Sequence, residues 1–196
     1  MRPLAVIALL VVLPLGRAHG QWWIGIEMGT ARYRGSAHDT SGGAGPQLRP
    51  GDATTFAIRV DRRLGRLGIA LRASLGTPGV SAHGGAIAVT DNTTGQLIEV
   101  ATVVAVRVGG IGPSGVVRAE LGPALHLWNL DDEMRARLGA LGALAYEWPV
   151  AGRFSGAIRV EGTMSRSWFE EGDLPPEYEL RATWRYGVTL GLRYRL

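Results

Sequence analysis

The sequence predicts an all-β fold: an eight-stranded antiparallel up-and-down transmembrane β-barrel, preceded by a cleaved signal peptide. Three observations predict it. From Leu180 to Leu196 the residues alternate without a break. Leu180, Ala182, Trp184, Tyr186, Val188, Leu190, Leu192, Tyr194 and Leu196 form one row, and Arg181, Thr183, Arg185, Gly187, Thr189, Gly191, Arg193 and Arg195 form the other. A period of two sends each row to its own face of a strand. Apolar residues outward and polar residues inward is the requirement for a strand with lipid on one side and a lumen on the other. The same alternation recurs along the chain in segments separated by turn residues. The chain also opens with a secretory pattern: Arg2 at the start, the apolar run Leu4 to Leu15, then Ala18 and Gly20 ahead of Gln21. That run is too short to cross a bilayer as a helix, which takes about 20 residues. The expected organisation is a signal at 1–20 and a barrel over 21–196.

Composition narrows the possibilities. All 21 basic residues are arginine and cysteine is absent, so disulfides, thiolate metal sites and a lipidated N-terminal cysteine are excluded. Losing Arg2 and Arg17 with the signal lowers the formal charge from +4 to +2. The remaining arginines are spread singly along strands rather than gathered on an arm or a helix, so a nucleic-acid surface is not expected.

In order, the first strand carries Trp22, Ile24, Ile26 and Met28 outward against Gly25, Glu27 and Gly29. Arg34 to Asp52, rich in Gly, Ser, Asp and Pro, reads as a long loop. The second strand sets Thr54, Phe56, Ile58 and Val60 against Thr55, Ala57, Arg59 and Asp61, and Arg62 to Arg66 makes a short turn. The third has Leu67, Ile69, Leu71, Ala73 and Leu75 outward, with Gly68, Ala70, Arg72 and Ser74 inward. The connection Gly76 to Gly95 contains an apolar piece, Ala86 to Val89, and suggests a hairpin above the membrane. The fourth strand spans Leu97 to Val108; it is apolar on both faces, and Glu99 and Arg107 set its phase. Gly109 to Gly115 forms a glycine-rich turn.

The fifth strand places Val117, Ala119, Leu121, Leu125 and Leu127 outward and Arg118, Glu120, Gly122, Ala124 and His126 inward. Pro123 in its outward row lacks a ladder donor and suggests a bulge. Asn129 to Arg135 is a short acidic loop. The sixth strand runs from Ala136 to Trp148 with Arg137 and Glu147 inward, and Pro149 to Gly152 turns the chain. The seventh has Phe154, Ile158, Val160 and Met164 outward, with Arg153, Arg159 and Glu161 inward. Ser167 to Glu179 is an acidic last loop, and the eighth strand closes the chain. An even strand number puts both termini on the short-turn, periplasmic rim. Rings settle at membrane interfaces, which assigns Trp22, Trp148, Phe154 and Tyr194 to the periplasmic band and Tyr33, Phe56, Trp128, Trp168 and Trp184 to the outer band. A soluble β-barrel has no reason to divide its aromatics this way.

The strand pattern, the signal and the ending resemble the small outer-membrane barrels of the OmpA/OmpX type over Gln21 to Leu196. The resemblance implies membrane integration rather than one activity. The last strand looks like the signal read by the barrel-assembly machinery, with Val188, Leu190, Leu192, Tyr194 and Leu196 in its apolar row. The family usually ends in phenylalanine, where this chain has Leu196. The resemblance also implies outer-membrane lipids and lipopolysaccharide as surroundings, and a monomer.

Among sites, Gly110, Gly112 and Gly115 spell G-x-G-x-x-G, but alternation continues after Val116, so no helix N-terminus is there to hold a pyrophosphate. His38, His83 and His126 lack metal-ligand spacing. Small barrels that deacylate lipid A use a His-x-Ser pattern near the outer leaflet; Trp128 stands where that serine would be. The acidic loops (Asp131, Asp132, Glu133; Glu170, Glu171, Asp173, Glu177, Glu179) lack EF-hand spacing. They suit solvated surfaces or divalent ions bridging lipopolysaccharide phosphates. No cofactor, metal or catalytic residue is expected.

The interior is the candidate site. Glu27, Arg59, Asp61, Arg72, Glu99, Arg107, Arg118, Glu120, Arg137, Glu147, Arg153, Arg159, Glu161, Arg181, Arg185, Arg193 and Arg195 fall on inward rows. An eight-strand bore is filled by side chains, and buried charges must pair or be hydrated. A plug is expected, a lumen network that includes Arg59, with Glu27, Glu120 and Glu161 among the acceptors and Arg72, Arg118, Arg159 and Arg185 among the donors. A narrow anion-favouring channel is the alternative, since inward arginines outnumber carboxylates; a lipid A-modifying enzyme is the more distant one.

Overall fold

A computed structural model describes residues 21–40, 47–84, 87–91, 95–130 and 133–196; the expected signal at 1–20 lies outside them. Eight strands form the barrel: β1 (Gln21–Arg34), β4 (Ala53–Leu64), β5 (Leu67–Gly76), β8 (Gln96–Ile111), β9 (Gly115–Leu130), β10 (Glu133–Ala151), β11 (Phe154–Ser165) and β13 (Thr183–Arg195). Neighbours in sequence pair antiparallel and β1 closes on β13, leaving no free edge. The β1–β13 register runs from Trp23↔Arg195 to Arg34↔Trp184, so both described chain ends sit at the same end of the barrel.

Burial follows parity. On β1 the even positions are exposed from Trp22 to Met28, while Trp23 and Glu27 are buried. On β13, Trp184, Tyr186, Val188, Leu190 and Leu192 are exposed and Arg185, Thr189 and Arg193 are buried. Large apolar residues therefore cover the outside of the barrel, where water would penalise them and lipid would not. Lower on that face Tyr146 stacks on Trp148 and Phe154 meets Tyr194, and higher up Trp184 stacks on Tyr186.

The end that carries the termini is made of tight turns. Gly65, Gly112 and Gly152 adopt positive φ there (66°, 69° and 52°), which glycine takes without a Cβ penalty. The strands run further into these turns than the sequence suggests. Arg62 and Arg63 belong to β4 rather than to a turn, and the β8–β9 turn is only Gly112 to Ser114. No register shift occurs at Pro123, which faces outward within an unbroken β9–β10 register. The irregularities fall instead at Arg107/Gly109 and Pro149/Ala151.

The opposite end carries the long connections, and they are more ordered than loops. β2 (Ala37–Asp39), β3 (Gln47–Pro50), β6 (Val80–Gly84), β7 (Ile87–Asp91) and β12 (Tyr178–Leu180) form a five-stranded sheet of order β12-β2-β3-β6-β7. The stretch from Arg34 to Asp52 thus contributes two strands, and the hairpin after Gly76 is a separate unit rather than an extension of its neighbours. The last strand is not continuous from Leu180. It breaks at Arg181 and Ala182, where the Arg181 N–H donates to Ser36 O at 2.9 Å and ties β12 to the upper sheet.

The lipid-facing assignment gives a direct expectation. Leu190, 61% exposed in the middle of β13, lies on the apolar outer face. Leu190→Arg should cost about 2–4 kcal/mol of insertion free energy. Leu64→Gln, at a tight turn, should change little. The folded fraction of each variant in lipid vesicles, read from heat-modifiable gel mobility, distinguishes them; equal losses would mean that Leu190 does not face lipid.

Candidate functional site in the barrel interior

Arginines and carboxylates from all eight barrel strands converge inside. Arg59 offers its guanidinium edge to Glu120 as a fork, Nη1 to Oε2 at 2.8 Å and Nη2 to Oε1 at 2.7 Å, while its Nε donates to Asp61 at 2.8 Å. Arg159 Nε donates to the same Glu120 at 3.0 Å, and its Nη1 reaches Glu161. Arg185 Nη2 lies 2.8 Å from Glu161 Oε1 and 2.8 Å from Glu99 Oε2, and donates to Thr163 at 3.0 Å. Arg72 Nε donates to Glu27 at 2.8 Å and its Nη1 to Glu99 at 3.2 Å. Arg193 spans Glu27 (3.3 Å) and Glu147; Arg118 (3.3 Å) and Arg63 (3.0 Å) also reach Glu147.

These contacts make one connected network in which each of the five glutamates touches at least two cations. Bidentate and charge-assisted geometry makes such bonds roughly twice as strong as neutral ones. Sharing matters because an unpaired ion in a space without bulk water is far costlier than an unpaired polar group. Every residue of the expected network (Glu27, Arg59, Arg72, Arg118, Glu120, Arg159, Glu161, Arg185) is no more than 7% exposed.

The buried charge is balanced. Among the described residues six arginines (59, 72, 118, 159, 185, 193) and six carboxylates (Glu27, Asp61, Glu99, Glu120, Glu147, Glu161) are buried, with Arg63 half-buried at the mouth. The inward surplus of arginine expected from parity is not inside. Arg107 and Arg153 are exposed on the tight-turn rim and Arg195 is half-buried there; Arg181 is exposed among the long connections. Arg137 also leaves the lumen, donating to Ser167 O at 2.8 Å and to Glu170 at 2.8 Å. Parity gives a face but not a height, so residues beyond the closed part of the barrel were placed in the bore by pattern alone.

Two participants escape the pattern. Arg63 reads as a turn residue, yet it stacks on Trp23 (4.1 Å to the ring centroid) and reaches inward to Glu147. His126 lies with Nε2 2.9 Å from Glu99 Oε2, 3% exposed. It faces the interior, away from the lipid surface where an acyl chain would approach.

Three of the rings lie inside rather than in the outer band. Tyr33, Trp128 and Trp168, expected in the outer lipid-facing band, are at most 1% exposed and form a cluster with Ala31, Ala53 and Leu97 over the network. Trp128 meets Trp168 edge-on at 4.9 Å and Tyr33 at 6.0 Å. Tyr33 shares the inward row of Glu27, and Trp128 that of His126, so parity was the available signal. Trp168 has no strand register to read. It is seated by Ser167, which donates to Ser36 O at 2.8 Å, while Ser36 bonds Thr183 at 2.8 Å.

Above this cap, Arg135 holds the last connection through Asp173, and Glu133 on its own strand accepts from the same guanidinium. Burial pushes the Asp173 carboxyl up, but the Arg135 guanidinium and the Glu170 N–H outweigh it and hold the group below the ordinary 3.8. A depressed folded-state value stabilises the clamp above 3.8, and the contribution fades as pH falls through the lowered value. The protection of residues 166–177 against hydrogen exchange, relative to the intrinsic rate at each pH, should therefore fall with acidification below 3.8, and Asp173→Asn should already be poorly protected at neutral pH.

For the network, Glu120→Gln or Arg59→Gln alone removes one of two ion pairs from its buried partner, which should cost less than the roughly 3–5 kcal/mol of a fully stranded charge. Joint replacement should cost less than the sum of the two. Melting temperatures in detergent for both single variants, the double variant and the surface control Glu171→Gln provide the cycle.

No protein-family model matches the chain, and no curated protein does. Among solved structures the chain is similar to Neisserial surface protein A (NspA), with a TM-score of 0.57, 9% identity, and coverage of 89% of this chain and 97% of that one. It is also similar to Ail, the attachment invasion locus protein of Yersinia pestis, solved in complex with the heparin analogue sucrose octasulfate. There the TM-score is 0.50 and the identity 11%, over 90% of this chain and 99% of Ail. At these identities the likeness is one of fold: the small eight-stranded outer-membrane barrel.

Proposed function

We propose that this chain is an integral protein of a bacterial outer membrane with a structural or surface-interaction role, its interior plugged by the arginine–carboxylate network. One observation carries the reading: six buried arginines meet six buried carboxylates beneath an aromatic cap, while the outer face is apolar. A permeation path needs either mobile water or a charge excess to favour one ion, and neither follows from a balanced, mutually bonded set in a bore of this size. Tight turns and termini on one rim, and a sheet built on long connections at the other, match the periplasmic and external sides of such barrels. External lipopolysaccharide and surface ligands would then meet the five-stranded sheet and the acidic connections. The protein would act as a monomer, since the barrel closes on itself.

Planar-bilayer recording tests the plug. The unmodified protein should show no resolved unitary conductance, and Trp168→Ala with Glu120→Ala should raise leak. A stable anion-selective conductance in the unmodified protein, lost with Arg118→Ala or Arg185→Ala, would establish a channel instead.

The row Val188, Leu190, Leu192, Tyr194 and Leu196 is proposed as the segment read by the barrel-assembly machinery. Deleting Tyr194 to Leu196 should block assembly, whereas Leu196→Phe should leave it unchanged or improved. Heat-modifiable barrel in isolated outer membranes measures both; normal amounts of the truncated form would remove this role.

A further inference from the structure

The carboxylates of this chain are distributed with a strict polarity. Among the described residues six lie in the lumen, and the others fall at the long-connection end, Glu133 where β10 begins and the rest in the connections and the upper sheet. None occurs in 62–67, 107–117, 149–154, 194–196 or 21–23, which together make the tight-turn rim. That rim instead holds Arg62, Arg66, Arg107, Arg153 and Arg195, distributed over β4, its turn to β5, β8, the β10–β11 turn and β13.

The fold brings the backbones of four of these together in two arginine–arginine pairs. The Arg107 N–H donates to Arg66 O at 2.8 Å, and the Arg195 N–H donates to Arg153 O at 3.0 Å. Cations on adjoining backbones repel unless an anion lies between them, and no carboxylate among the described residues pairs with any of the four. Arg62 sits over the outward ring of Trp22 at 5.6 Å, where an interfacial aromatic places it at headgroup depth. At the other end, Arg32 has Asp52 within 3.6 Å, Arg135 holds Asp173 and Arg181 holds Glu179 at 2.9 Å, so much of that positive charge is answered from within the chain.

We propose that the tight-turn rim is a binding surface for anionic phospholipid headgroups of the leaflet it faces, with Arg66/Arg107 and Arg153/Arg195 as two phosphate-binding pairs and Arg62 between headgroup and Trp22. The inference rests on the membrane-barrel reading above. Its chemistry is simple: guanidinium forks match phosphate oxygens, and basic residues at a bilayer surface attract anionic lipid, each worth about fivefold in association. Phosphatidylglycerol supplies a net negative headgroup; a zwitterionic one returns its own cation to a rim that is already positive. The arrangement would also favour one orientation of the barrel in a membrane whose two leaflets differ in charge.

The experiment uses the full barrel in vesicles of phosphatidylcholine mixed with phosphatidylglycerol. Spin-labelled phosphatidylglycerol and phosphatidylcholine are compared for the fraction immobilised at the protein surface. The unmodified protein should prefer phosphatidylglycerol by about fivefold or more, with the preference shrinking at high salt. Arg66→Gln/Arg107→Gln/Arg153→Gln should bring it close to parity. These side chains have no ion-pair partner among the described residues, so the triple variant should keep its heat-modifiable mobility. Arg32→Gln/Arg34→Gln/Arg166→Gln, at the opposite rim, should retain the preference. An inserted, heat-modifiable protein without preference, or one whose preference falls only with the opposite-rim variant, would overturn the proposal and leave the barrel reading intact. So would retention on cell-wall sacculi without lipid preference, which would assign the rim to peptide-stem carboxylates. Failure of the unmodified chain to insert would overturn both.

Discussion

The constraint on which the rest depends is the pairing of charge in a space too narrow for bulk water. A barrel of eight strands leaves an interior that side chains fill, and here the side chains that fill it are mostly ionic. An isolated buried charge is prohibitive, so each carboxylate must find a guanidinium at bonding distance. That requirement reaches back into the strands. Arg59 and Glu120 are 61 residues apart and Glu27 and Arg193 are 166 apart; their contacts exist only if every intervening register is correct. A slip by one residue would turn an arginine to lipid and an apolar residue into the network.

Lipid and lumen therefore select the same register from opposite sides. The outer rows tolerate almost any apolar residue, because acyl chains require no shape match. The inner rows are specific in both size and sign. Gly122 illustrates the tightness: a Cβ there would collide with Thr102 O, so the strands come together where the side chain is missing. The energetic weight is unevenly divided. The apolar belt supplies the non-specific drive into the membrane, whereas the ionic interior supplies a single arrangement. A buried ion pair contributes little net stability relative to an apolar core but penalises every alternative that breaks it.

The cap and the upper sheet follow a different logic. Above the lipid there is water, so rings can bury against one another rather than against acyl chains. Tyr33, Trp128 and Trp168 do this where the lumen opens, and the hydroxyls of Ser36, Ser167 and Thr183 hold the last connection over them. The carboxylates above the cap face solvent, and several are answered by Arg135 and Arg137. At the opposite rim, among the described residues, Arg66, Arg107, Arg153 and Arg195 have no carboxylate beside them, and the two ends of the barrel differ in this.

The sequence by itself determined the fold class, the number of barrel strands, and the face of nearly every residue on them, because a two-residue period is a local property and lipid enforces it over long stretches. It identified Glu27, Arg72, Glu120 and Arg185 as inward for the same reason. Tertiary structure alone decided which inward residues meet. Partners such as Arg72 and Glu27 are set by closure, shear and side-chain reach, none of which leaves a periodic trace. It also decided height along the barrel axis, which moved Arg107 and Arg153 to the rim and Tyr33 and Trp128 from a supposed girdle into the cap. Short strands such as β2, β3 and β12 were invisible because three or four residues cannot establish a period; they form only because the barrel below presents neighbours for them to pair with.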